Sequence, residues 1–219
     1  TAMDGARVFK SVPTFTKLSV PTNTLSSGEK TLLRWKVSAD AAGGIGISKF
    51  TLRFATTTAA LTSVNVYCYT DSGFSTICSG LSTDGGLLLT DQLASGNNNW
   101  VDSNTQFDFG AEDSSGASTA SQVPTGGTRY FEVRGTVAGA ASGASVSTQL
   151  EGDAAYPFFA AGTFMGGAAT IDTEAGSNND FIWSPNATTT SAVDHEDWTN
   201  GYGVSGLPGA NMTAEVLSQ

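Results

Sequence analysis

The chain is poor in charge, histidine and cysteine. Only 14% of its 219 residues are Asp, Glu, Lys or Arg, and it holds one histidine, His195, and two cysteines, Cys68 and Cys78. Cations are missing altogether after Arg134: all ten Lys and Arg lie between Arg7 and Arg134 among eleven acids, and the other nine acids follow with no cation beside them. The two parts carry −1 (10 − 11) and −9 (0 − 9), which together make the net −10. Without a basic patch there is no counterion release to drive nucleic-acid binding, and an anionic membrane surface repels the acidic part. No nucleic acid and no lipid head group is expected as a partner.

A long hydrophobic run is missing too. The longest charge-free stretch, "AAYPFFAAGTFMGGAATI" from Ala154 to Ile171, is interrupted by Pro157 and by glycines and has no flanking Lys or Arg, so membrane insertion is not expected. The sequence begins at Thr1 rather than Met, as a chain does once its leader has been removed.

Catalytic patterns are absent as well. Nucleophilic catalysis needs a base near the nucleophile, and His195 alone could serve; neither "GFSTI" nor "GVSGL" is a Gly-x-Ser-x-Gly elbow. Chance pairs among twenty acids say nothing about glycosidase chemistry. The chain is therefore expected not to be an enzyme, with His195 a surface loop residue. Two cysteines with nine residues between them suit neither zinc nor a Cys-x-x-Cys redox pair. "DHED" and "DFGAED" offer oxygen ligands without the D-x-[DN]-x-[DN]-G loop, which leaves Ca2+ as the one cofactor to consider and no metal-ligand set assigned.

What is present points to strands. In "TLLRWKVSAD", Leu33, Trp35 and Val37 alternate with Arg34, Lys36 and Ser38. In "ISKFTLRFA", Phe50, Leu52 and Phe54 point inward and Lys49, Thr51 and Arg53 outward; in "RYFEVRGTV", Phe131, Val133 and Val137 oppose Glu132 and Arg134. A period of two is the mark of a half-buried strand. "SVNVYCYT", "ASVSTQLEG" and "GGLLLT" add further strands, and "ARVFKSVPTFTKLSVPT" reads as an edge strand that kinks or switches sheets at Pro13. With no long 3.6-residue period anywhere, the expected fold is all-β. It is an Ig-like antiparallel β-sandwich of about seven strands over residues 1–152, with an acidic, cation-free C-terminal β/loop extension over residues 153–219. In that extension "AATIDTE", "DFIWS" and "MTAEVL" read as short strands between long loops.

Cys68 and Cys78 flank a "DSG" turn, so a disulfide across a hairpin is expected in preference to two buried thiols. Such a bridge contributes at most about 3 kcal/mol for so short a loop, and it belongs to an oxidising, extracellular compartment. Sequons occur at Asn186 and Asn211, acceptors wherever glycosylation machinery exists.

In "ARVFKSVPTF", "LSSGEKTLLRWKVSADAAGGIGISKFTLRFATTT", "VNVYCYTDSGFS" and "NDFIWSPNATTTSAVDHEDWTNGYGVSGLP" the chain resembles secreted cell-surface β-sandwich proteins of candidate-phyla (Patescibacteria-like) bacteria, of the surface-layer or filament-subunit type. The resemblance covers most of the chain and brings no catalytic residues. It implies an exported structural protein whose partner is itself.

The contacts expected for self-association are β-edge pairing and packing of the extension, through Val8, Phe9, Val12 and Phe15 near the N-terminus and Phe158, Phe159, Phe181, Ile182, Trp183, Trp198 and Tyr202 in the extension. Folding back within the monomer is the plainer expectation for the same residues. The alternative function is a monomeric adhesive or carbohydrate-binding module, with Trp183, Trp198 and Tyr202 exposed to stack on a glycan.

Overall fold

The computed structural model describes residues 8–81, 87–89, 105–111, 119–155, 180–187, 198–207 and 212–219. Their strands, in chain order, are β1 (Thr14–Leu18), β2 (Gly28–Ser38), β3 (Ile45–Thr57), β4 (Ala60–Tyr69), β5 (Leu87–Leu89) and β6 (Thr105–Ala111). These are followed by β7 (Ser121–Val123), β8 (Thr128–Ala138), β9 (Ser145–Leu150), β10 (Phe181–Ser184), β11 (Thr199–Asn200) and β12 (Glu215–Ser218). All the strand pairs are antiparallel.

Two layers pack face to face, giving the all-β sandwich expected. The first runs β1-β2-β8-β4-β5. The second is built around β3, whose thirteen residues pair with β9 and then β10 along one edge and with β6 and then β7 along the other. β12 lies outside β9 and β11 outside β10, while β5–β6 pairing carries the hydrogen bonding from one layer into the other.

Alternation decides which side chains meet between the layers. Trp35 of β2 sits opposite Phe131 of β8 and stacks on it, ring centroids 5.4 Å apart, and both turn their rings to Phe50 of β3 at 5.2 and 4.9 Å. Phe181 stacks on Phe50 at 5.5 Å, and Phe15 meets Phe181 edge-on at 4.8 Å. Edge-to-face and offset pairs at these distances add about 0.5–1.5 kcal/mol each beyond their burial.

Three departures from the sequence reading stand out. Among the described residues nine strands precede Gly152, where about seven were expected, because "TQFDFGA" (β6) and "SQV" (β7) also pair with β3. β3 is buried on both faces from Ile45 to Leu52, so Lys49 and Thr51 are 1% and 0% exposed where the alternation placed them outward. The face they share carries a second small apolar cluster of Ala120, Ile182 and Trp198. Last, the kink expected at Pro13 is a strand start: β1 begins at Thr14 and stays in one layer.

Candidate functional site

The extension's described strands are built into the sandwich. Phe181, Ile182 and Trp183 continue the edge of β3 below β9, opposite Phe50, Lys49 and Ile47 with a register shift at Ser48, and the alternation of the strand puts Phe181 and Trp183 in the main core and Ile182 in the second cluster. Trp183 donates its Nε1–H to the Asn200 carbonyl at 2.8 Å and packs against Phe9 at 5.1 Å. Phe181 and Ile182 are fully buried, Trp183 is 2% and Trp198 3% exposed.

Asp153 joins the first part of the chain to these strands. Its carboxylate, fully buried, accepts backbone N–H groups from Asp180 at 2.7 Å, Phe181 at 3.2 Å and Gly201 at 2.6 Å. Burial raises its pKa above the ordinary carboxyl value; the three N–H donors and the positive charge of Lys49 pull the other way and offset this only in part. Beside it, Arg53 is ion-paired with the buried Glu151, and Asn200 donates its side-chain amide to the Ala155 carbonyl at 2.8 Å.

The last strand closes the other corner. β12 lies on β9, Lys17 of β1 pairs with Glu215 at 2.7 Å and donates to the Ala214 carbonyl at 2.9 Å, and Ser218 exchanges backbone hydrogen bonds with Asn23 and Leu25. On β1, Phe15 donates its N–H to Ser205 at 2.8 Å. Each of these sheet edges therefore already has a partner from the chain's own C-terminal part.

A second assembly of polar groups lies on the outer face of the first layer. Glu132, 1% exposed, accepts from Thr31 and Arg34 on one oxygen and from Arg134 on the other, with the arginine contacts at 2.6–2.9 Å. Burial works against its ionisation, but the donors from Arg34, Arg134 and Thr31 outweigh it and hold the carboxyl below its ordinary value. Over it folds the loop closed by the Cys68–Cys78 disulfide, whose Cα atoms are 5.4 Å apart. Asp71 shapes the loop by accepting the N–H groups of Gly73, Ser75 and Thr76, which lowers its own pKa. Phe74, in a left-handed conformation at φ 55°, covers the Arg34 guanidinium at 4.0 Å.

The remaining expected site residues scatter. Phe9 is partly buried against the core and Phe15 is 3% exposed, whereas Val8 and Val12 are exposed, 91% and 40%. Tyr202 is 38% exposed. Asn186 is exposed, with its side-chain amide donating to Gln122 at 2.8 Å. Phe158, Phe159, Asn211 and His195 lie outside the described residues. Trp183 and Trp198, buried as they are, offer no face to a glycan. The sequence reading missed Asp153, Lys49 and Glu132; charged residues at strand positions carry no signal of burial until the strands covering them are known. Among the described residues no group of three or more His, Cys, Asp or Glu is placed to hold a metal ion, and no helix is long and apolar enough to cross a membrane.

No protein-family model and no curated protein matches the chain. Among solved structures, one titled "Complete structure of manganese lipoxygenase of Gaeumannomyces graminis and partial structure of zonadhesin of Komagataella pastoris" is similar over 66% of this chain at 11% identity and a TM-score of 0.28. The chain spans 42% of that structure's length.

Proposed function

We propose that the chain is an extracellular structural protein that associates with copies of itself at a cell surface, as a filament or surface-layer subunit. The observation that carries this reading is the disulfide-closed loop fixed on the outer face of a sandwich: the bridge fits an oxidising compartment, and the loop and the Glu132 arginine pair make that face rigid. A hydroxyl-rich, charge-poor surface suits close packing of copies. The buried aromatics of the extension serve this function from inside, by setting the shape of the subunit.

Negative-stain imaging and sedimentation of the full chain over a concentration series test the reading. Regular filaments or sheets are expected, and a monomer at every concentration and salt level overturns it. Because each copy carries a net charge of −10, repulsion opposes contact, and salt screens it over about 8 Å at physiological strength. Association is therefore expected to strengthen as ionic strength rises.

A further inference from the structure

The C-terminal strands are held by the sandwich as an arm is held by a socket. The socket is the β3 edge beyond β9, the Asp153 carboxylate, the outer edge of β9 and Lys17. The arm is β10, β11 and β12. Between Ala155, the last described residue of the socket, and Asp180, the first of the arm, the sequence places twenty-four residues, Tyr156 to Asn179. Fully extended, a connection of that length reaches about 80 Å, several times what the two ends need.

We infer that copies of the chain associate by exchanging this arm, β10, β11 and β12 of one copy filling the socket of the next. The inference rests on the self-association proposed above and names its contact. Three observations lead to it. The sheet edges at β1, β3 and β9 are already hydrogen-bonded to the C-terminal part, so a neighbour can reach them only by replacing that part with its own. A like-for-like replacement forfeits nothing: Phe181 regains Phe50 and Phe15, Asp153 regains its three N–H donors, and Lys17 regains Glu215. Contacts inside the arm, such as Trp183 Nε1 to the Asn200 carbonyl, travel with it unbroken.

Concentration then decides between closed and exchanged forms. A connection of that length keeps the arm close to its own socket, so dilute chains stay closed and crowded chains exchange. Exchange in which each arm goes to a third copy is open-ended and builds a fibre, whereas reciprocal exchange stops at a dimer.

The pair Ser147 and Val216 gives the test, because they face each other across the β9–β12 ladder, with Val216 48% exposed. Full-length S147C and V216C are mixed, unfolded without reductant, refolded together near millimolar concentration and oxidised, and the associated fraction is mapped by peptide mass analysis. The double variant S147C/V216C, refolded dilute, must form the same link within one chain and so verifies the geometry. The expected result is a 147–216 disulfide joining two chains in the mixture. An associated fraction without that link overturns the exchange and leaves self-association standing; no associated fraction at all overturns both.

Discussion

Glu132 illustrates how one buried carboxylate can set the behaviour of a whole face. It accepts from two guanidinium groups and from the Thr31 and Tyr69 hydroxyls, and its loss takes the buried counter-charge from Arg34 and Arg134, leaving Arg134 the exposed Glu29 at 3.9 Å. Breaking a buried pair by removing one partner costs about 3–5 kcal/mol. Glu132→Gln keeps the shape and is expected to lose about 3 kcal/mol in urea denaturation, at the lower end because the arginines are part-exposed. The pH dependence follows from the direction of the shift: a carboxyl held low in the fold contributes its full stability above the unfolded-state pKa and loses it as pH falls through the folded one. Asp153 runs the opposite way. Its raised pKa means that ionisation costs the fold something, so its own contribution declines as pH climbs from the ordinary carboxyl range through the raised value. Acid titration of wild type against Glu132→Gln is expected to show the wild type losing its advantage at low pH and the two curves converging. Neither residue was legible in the sequence, because alternation assigns a face to a side chain without saying whether another element covers that face.

At the scale of elements the legible and the illegible divide along the same line. β2, β3 and β8 are plain in their alternation, since their core faces carry Leu33, Trp35, Val37, Phe50, Leu52, Phe54, Phe131 and Val133, all fully buried. β7 and β11, three and two residues long, are strands because β3 and β10 offer them hydrogen-bonding edges, whereas β6 alternates Phe107 and Phe109 with Gln106 and Asp108 in a period that the sequence reading passed over. Residues that form a strand only because a neighbour pairs with them leave no periodicity of their own. "FIWS" was legible as a strand, and its aromatics as packing residues, but whether they packed on this copy or another was not. Trp183→Ala is expected to cost about 3–5 kcal/mol, as for other large-to-small core changes, and Trp183→Phe markedly less, the difference reflecting lost volume and the hydrogen bond to Asn200. The disulfide lies in the apolar core, with Cys68 fully buried and Cys78 7% exposed, so replacing both with serine is expected to lower stability by about 2–5 kcal/mol in chemical denaturation. The sandwich should keep its far-ultraviolet spectrum, since Phe74 covers its outer face and lies outside its core.

For the molecule as a whole, the described residues after 152 pack on the sandwich and share its core. Phe181, Trp183, Val204, Leu207, Met212 and Leu217 belong to the same apolar core as Trp35 and Phe50. A chain ending at Asn179 is therefore expected to expose the rings of Phe15 and Phe50 and to aggregate or unfold. Circular dichroism and size exclusion of that truncation check it, and a soluble, cooperatively folding fragment would count against this account.

The Lys17–Glu215 corner has a mechanical consequence. β1, near the start of the described chain, and β12, at its end, meet there through one ion pair, one side-chain bond to the Ala214 carbonyl and the short bridge of Ser218 to Thr24. Tension applied between the two ends is borne first by these few contacts and the four residue pairs of β12 on β9, and the long β2–β8 ladder is loaded only after they yield. Pulling β12 away also draws Leu217 out of the apolar core, so this corner is expected to set the first force peak when the chain is stretched from its two ends.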